Sequence, residues 1–526
     1  MNNKIWIGLV IGALLIGYGV GMFWGLPAEF SPAVDVPFPI GALGFVGQYK
    51  DPTSHAKYPA FHQVLTLGVY AGDLIILMLS GNFKPIELSS KWPYGFQDPV
   101  QAFSLMLFTS RLISLAMGIT ILLFLARKMP LRAGGQSHLL AIALLALGGP
   151  FTYYAREANF DIPYNFWWTL AFIFTARYLF TTENAKPNRD LLWGGIFSAL
   201  AVATKDQAGG LIAGLGLVIV FINPSHDAGG WKFRLKSTIR FGLAAAATYI
   251  LAAIAPQPAR WWYHISLLRS GAVTEAYLEF PPTLLGQIGL LGDALRDLSR
   301  VISPLGVLLA LFGLVLLAAA RQWKAMWFLF LPAFVYYILI IANVHYVYER
   351  FMLPVGLLWV AAVGFGLERV RQYLKTLHPF AWALAAAVLL GWQIVIGYLP
   401  TTYLQLQDTK RALSQDLGNY VAPGSAILWI EPDNTRFPNA VTYEAYHFTL
   451  PQGVTPLYPS SEDHIFSPYS TDVHCLLTVI PDDPMAANLN LIKAWTLPAW
   501  VRDNVMNQAP IEYYLYDLDG KCQNAK

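Results

Sequence analysis

The sequence predicts an all-α polytopic membrane protein carrying a small α/β domain at its C-terminal end, on three observations. Of 526 residues, 56% are hydrophobic and 13% charged, about half the charged share of soluble domains. The apolar residues gather into windows of about 20, the length that crosses a bilayer. After residue 400 the composition turns polar, with turn clusters such as Ala422-Pro423-Gly424 and Glu431-Pro432-Asp433-Asn434. A water-soluble enzyme is excluded. The formal net charge of +3, with no isolated basic block, speaks against nucleic acid as a partner. Two cysteines exclude a Cys-rich zinc or iron–sulfur framework.

About eleven windows qualify as spans: Lys4–Trp24, Ala102–Ala126, His138–Tyr154, Pro163–Phe180, Leu191–Thr204, Ala208–Ile222, Phe241–Ala255, Val301–Ala320, Ala325–Ala342, Phe351–Leu367 and Phe380–Leu399. The first has Lys4 ahead of it but no clean small-residue cleavage site, so it is expected to be an uncleaved anchor. A twelfth window, Val64–Leu79, carries Asp73 in its middle. Without it, alternate short loops around Arg127–Arg132, Lys186–Arg189, Lys232–Arg240, Arg321–Lys324 and Arg369–Lys375 hold 14 basic residues, against Arg156, Lys205 and Arg350 on the other side. Positive residues stay inside. An integral protein of the plasma or inner membrane is therefore expected, with a cytoplasmic N-terminus and an extracytoplasmic C-terminal domain. Val64–Leu79 is then an interfacial helix from which Asp73 reaches water.

Residues 1–400 form the transmembrane domain and 401–526 the soluble one. Three external pieces are long: Gly25 to about Gln101, Pro256–Arg300 and the tail. The cytoplasmic loops are too short for a nucleotide-binding βαβ unit and carry no phosphate-loop glycine pattern, which puts any chemistry on the outer face. In the tail, Leu404–Tyr420 looks helical, while Ala426–Ile430, Cys475–Ile480 and Ile511–Tyr516 look like strands. Outside the cytoplasm Cys475 and Cys522 are expected to form a disulfide; two unpaired buried thiols are the alternative.

The outer face collects ionisable groups in short motifs. Val34-Asp35-Val36-Pro37 follows the first span. Lys57-Tyr58-Pro59-Ala60, flanked by His55 and His62, precedes the interfacial helix, at a depth where cations suit a lipid phosphate. Arg156-Glu157-Ala158-Asn159-Phe160-Asp161-Ile162-Pro163 lies between two apolar helices, where such groups are expensive to keep for packing alone. Thr204-Lys205 and Arg350-Phe351-Met352-Leu353-Pro354 mark two further outer turns. Each of these last two also fits a charge that merely anchors a helix end.

In order and membrane side, these five motifs resemble those of the GT-C integral-membrane glycosyltransferases, specifically the protein O-mannosyltransferase and aminoarabinose-transferase superfamily. Val36 stands where that family usually has Glu, and Ala60 replaces a second Pro. The resemblance implies a GT-C-like fold and a polyprenyl-phosphate-linked sugar donor. The acceptor hydroxyl would belong to a glycolipid, a cell-envelope polymer or a protein, and membrane lipids would surround the donor. It further implies Asp35 as general base for a single inverting displacement, and Lys57, Lys205 and Arg350 as phosphate-binding cations. Asp161 would position the acceptor or, with Asp35 and His264, hold a divalent metal ion. Glu157, Arg156 and Tyr58 are supporting candidates. His264 follows Trp261-Trp262-Tyr263, which also fits an interfacial aromatic belt.

The alternative is a transporter or flippase of a lipid-linked sugar, which would show paired repeats and mid-membrane ionisable groups; no clear repeat is visible. The predicted orientation is checked by reporter fusions. Alkaline phosphatase joined after Lys526 should be active and phosphatase inserted after Arg132 silent; the reverse pattern overturns the assignment.

Overall fold

The computed structural model describes residues 16–27, 39–53, 56–84, 94–181, 187–222, 224, 230–271, 279–378, 380–407, 409–421, 426–430, 455–457, 473–478, 489–502, 504, 512–518 and 522. Asp35 and His55 lie outside them. The chain divides into two compact units, one built mainly from residues up to Leu399 and one from 400–526 with two short earlier segments.

The first unit is helical. Eight of its helices matter for the site: α1 (Phe61–Leu79), α2 (Pro99–Lys128), α3 (Asp161–Phe180), α4 (Pro187–Thr204), α5 (Pro258–Gly271), α6 (Leu284–Ile302), α7 (Pro304–Ala319) and α8 (Glu349–Leu377). Among the described residues six helices are long and apolar enough to cross a membrane, or seven if α6 and α7 count as one bent span. The eleven expected spans are not reached by this criterion. The first window lies largely outside the described residues, and others are shorter than a bilayer. His138–Tyr154 is two helices, Gly135–Ala146 and Gly149–Tyr154. They part at Gly148, where a Cβ would meet the Val301 carbonyl oxygen at 2.1 Å.

Small residues let these helices approach, as they do where apolar burial alone cannot drive helix association. A Cβ at Gly313 of α7 would lie 2.0 Å from the Ala362 carbonyl of α8, and one at Gly366 of α8 would lie 2.3 Å from the Leu309 carbonyl of α7. The contact is reciprocal, backbone on backbone. It seats α8, the most enclosed of the candidate spans.

The span expected from Val301 starts at Pro304 instead. Proline cannot continue the preceding helix, Ser303 adopts φ 70°, and its hydroxyl accepts from the Gly306 N–H at 2.9 Å. The chain turns by 104° between α6 and α7.

Helix α1 passes as a span by length and apolarity. Tyr58, just before it, packs its ring 4.6 Å from Phe160 at the start of α3. Past its end, the Asn82 carbonyl accepts from the Gln97 N–H at 2.8 Å. Asp73 is buried against α2, accepting from Thr109 at 3.1 Å, while Tyr70 shares a hydrogen bond with Ser110. Asp73 thus faces a protein hydroxyl rather than the water expected for it.

In the second unit, β1 (Ala426–Ile430), β2 (Thr455–Leu457), β3 (Val473–Thr478), β4 (Asn490–Trp495) and β5 (Tyr513–Asp517) form a mixed sheet in the order β2-β1-β3-β5-β4. β1 is parallel to β2 and β3, and β5 is antiparallel to β3 and β4. Leu413, Leu417, Ile427, Leu477, Tyr513 and Leu515 fill its core, with Cys475 and Cys522 among them. The two cysteines form a disulfide across 47 residues. The expected helix Leu404–Tyr420 is instead two helices, Leu399–Leu406 and Thr409–Asp416.

Replacing Gly366 by Leu should destabilise the purified protein by about 1–3 kcal/mol through overpacking. Gly216→Leu, at a glycine with open space around it, should not. Equal melting temperatures for the two variants would contradict this packing.

Candidate active site

Four of the five outer motifs meet at one end of the first unit; the fifth, around Asp35, lies outside the described residues. Helix α3 opens the site. Its first residue, Asp161, is 2% exposed and places a carboxylate in the first turn, where the helix dipole favours a negative charge. The Asp161 N–H donates to the Asn159 side chain at 3.0 Å, and the Asn165 amide donates to the Asp161 carbonyl at 2.8 Å. The backbone of Asp161 is therefore held on both sides of the helix start.

Lys205 follows the last residue of α4 and reaches across to Asp161, with Nζ 2.6 Å from Oδ1. Both side chains are nearly closed to solvent, at 5% and 3% exposure. A buried pair of this kind costs desolvation, and removing one partner strands the other at about 3–5 kcal/mol. The ammonium also lies 5.4 Å from the centre of the Tyr164 ring and 5.9 Å from that of Phe351. Arg350, in the first turn of α8, places its guanidinium 5.6 Å from the Tyr348 ring and 5.9 Å from the same Phe351 ring. Two cations from motifs far apart in sequence thus contact one aromatic ring beside one carboxylate. Lys57 is exposed, 5.7 Å from the Tyr58 ring, and Tyr58 in turn rests on Phe160, the neighbour of Asp161.

Arg156 and Glu157 have other partners. Arg156 donates to the Gly17 carbonyl at 2.7 Å and lies between the rings of Tyr18 and Tyr398. Glu157 pairs with Arg111 at 3.4 Å, both side chains fully buried, and Arg111 also donates to the Met22 carbonyl at 2.8 Å. These contacts tie the loop before α3 to the N-terminal segment. Arg111 went unread in the sequence; a lone guanidinium inside the apolar run of α2 is the signal that marks it.

His264 of α5 donates through Nδ1 to the Ala56 carbonyl at 2.7 Å, and its Nε2 lies 3.1 Å from both Asp206 oxygens. Gln257, at the start of α5, donates to the Tyr49 carbonyl, and Arg260 stacks 4.6 Å from the Phe45 ring. α5 is therefore a brace between the segments that carry Phe45, Tyr49 and Ala56 and the turn that carries Lys205. Of the expected metal set Asp35 lies outside the described residues, and the two members that are described have protein partners. Both nitrogens of His264 are engaged, Asp161 is neutralised by Lys205, and among the described residues no group of three His, Cys, Asp or Glu side chains is placed to hold an ion.

No protein-family model and no curated relative matches the chain. Among solved structures it is similar to the apo crystal structure of ArnT from Cupriavidus metallidurans, at 12% identity over 99% of both chains and a TM-score of 0.46. It is also similar to the arabinofuranosyltransferase AftD from Mycobacteria, at 14% identity over 99% of this chain and 40% of that one, with a TM-score of 0.46. A third is the oligosaccharyltransferase AglB from Archaeoglobus fulgidus in complex with an inhibitory peptide and a dolichol-phosphate, at 14% identity over 88% and 61% of the two chains and a TM-score of 0.42.

Burial pulls the His264 pKa down, but the hydrogen bond and charge of Asp206 outweigh it and hold the imidazolium above its ordinary 6.5. The protonated form is thus favoured in the folded state. Its contribution is complete below pH 6.5 and is lost as the pH rises through the higher folded value. The melting temperature of the purified protein should fall over that interval, and the fall should be smaller in His264→Gln; identical pH profiles would refute the coupling.

Proposed function

We propose that the chain is a glycosyltransferase that moves a hexosyl or pentosyl group from a polyprenyl-phosphate donor to an acceptor hydroxyl on the extracytoplasmic face. The observation that carries this reading is the convergence of Lys205 and Arg350 on the Phe351 ring beside Asp161. Such a pair of pre-placed cations in a poorly solvated site suits a phosphate whose charge grows as it leaves. The order of the outer motifs supports the same reading, and the excess of basic residues in the opposite loops supports the extracytoplasmic placement.

In this mechanism the donor phosphate settles against Arg350 and Lys205, competing with Asp161 for the ammonium, while Lys57 closes the exposed side. The acceptor oxygen attacks the anomeric carbon as the bond from that carbon to the phosphate oxygen breaks. The hydroxyl proton passes to Asp35, the bond electrons leave with the polyprenyl phosphate, and the anomeric configuration inverts. Asp161, released from Lys205, orients the acceptor. No step is assigned to a metal ion.

Transfer of radiolabelled sugar from a panel of synthetic polyprenyl-phosphate sugars tests the reading. Label should leave one donor class, Asp35→Asn should abolish transfer, and Lys205→Met or Arg350→Gln should lower kcat by roughly 10²–10³-fold, the scale for losing one charge-stabilising group. A fully active Asp35→Asn protein removes the base. Donors that stay intact while lipid-linked sugar crosses a bilayer establish the transporter instead.

A further inference from the structure

At the far end of α3 from Asp161 there is a second collection of cations, which the proposed reaction does not use. Helix α3 has 20 residues, about 30 Å at 1.5 Å per residue, which puts this collection about that far from Asp161. A cavity of about 300 Å³ opens at the C-terminal end, lined by Arg127 and Lys128 from the last turn of α2, Arg132 from the loop that follows, and Arg177 and Thr181 from the end of α3. Arg127, Lys128 and Arg132 are exposed, and among the described residues no carboxylate pairs with any of the three. Arg177 is the exception, 3.4 Å from Asp190. Glu368, on the neighbouring α8, is already taken by Ser137, Arg371 and Gln372. Among the described residues, four cations around one cavity with a single carboxylate in contact leave a strong positive excess.

The cavity continues onto an apolar surface. Arg177 packs its guanidinium 5.3 Å from the Phe174 ring. Phe174 contacts Phe197 at 5.5 Å and Trp193 at 6.5 Å, and Trp193 stacks on Phe197 at 5.3 Å. Trp193 is 37% exposed. A cationic pocket at a helix end, with an open aromatic stack running from it along α3 and α4, has the two-part chemistry of a lipid: phosphate in the pocket and acyl chain on the rings. Basic pockets between spans take anionic headgroups in this manner.

We propose that this cavity binds the phosphodiester headgroup of an anionic membrane lipid, on the bilayer face opposite Asp161. The inference does not depend on the proposed reaction. Occupancy would fasten α2 to α3 at the end remote from the site and balance the local positive charge.

The experiment uses the full-length protein in detergent carrying phosphatidylglycerol and phosphatidylcholine of identical acyl chains in equal amounts, with bound lipid counted by native mass spectrometry. Phosphatidylglycerol should be retained in preference. Each cation at such a surface is worth about fivefold in affinity, so the triple change Arg127→Gln, Lys128→Gln and Arg132→Gln should weaken retention about a hundredfold. The charge-keeping pair Arg127→Lys and Arg132→Lys should retain the lipid, separating loss of charge from loss of fold. Equal retention of the two lipids, or unchanged retention by the triple variant, overturns the proposal. So does inorganic phosphate that binds these residues without lipid, which would make the cavity a soluble-anion site. Loss of phosphatidylglycerol from the charge-keeping variant would also overturn it.

Discussion

The ion pair between Asp161 and Lys205 is the contact on which the rest of the site depends. It joins the first residue of α3 to the residue that follows α4, and both charges are shut away from water at 2.6 Å. Neither group tolerates burial alone. The chain therefore has to bring the ends of α3 and α4 together before either charge is satisfied, and the glycines along the helix faces make that approach feasible. Gly194 of α4 is such a position: a Cβ there would lie 2.9 Å from the Thr175 hydroxyl of α3.

Around this pair the helix ends are charged with consistent sign. Asp161 and Glu349 occupy the first turns of α3 and α8, while Arg127, Lys128 and Arg177 occupy the last turns of α2 and α3. Each complements its helix dipole. The helix-start carboxylates Asp161 and Glu349 are each met by a cation from another element, Lys205 and Arg300. Glu349 is bridged by Arg300 of α6, so the residue beside Arg350 is anchored from a separate element. The brace formed by α5 does the same for the turn at Lys205, through His264 and Asp206.

What the sequence made legible follows from solvation. Asp161, Lys205 and Arg350 stood out because an ionisable group next to an apolar run needs a reason to be there, and the structure brings all three together. The partner choices were hidden. Nothing local links His264 to Asp206, 58 residues apart, or Arg111 to Glu157, and without those pairings His264 was read as a metal candidate and Glu157 as a supporting site residue. In the tail, strands near β1, β3 and β5 were visible as apolar runs because they occupy the middle of the sheet. The two missed strands are its edges. β2 has three residues and contains Pro456, and β4 contains Asn490 and Lys493; an edge strand has one neighbour and carries polar residues that blur its pattern. The helices shorter than a bilayer misled the span count for a related reason: hydropathy reports apolarity, whereas the break at Gly148 is set by backbone packing.

The most direct test of the central claim is the distance from the Lys205 ammonium to the donor phosphorus. Rotational-echo double resonance between ¹⁵N-lysine side chains and the ³¹P of a bound polyprenyl phosphate reads it without turnover. A close lysine–phosphorus coupling that disappears in Lys205→Met, while the phosphate remains bound through Arg350, is the predicted result. A coupling unchanged by that substitution would mean that the phosphate is held elsewhere, and the site built on Asp161, Lys205 and Arg350 would not be the donor site.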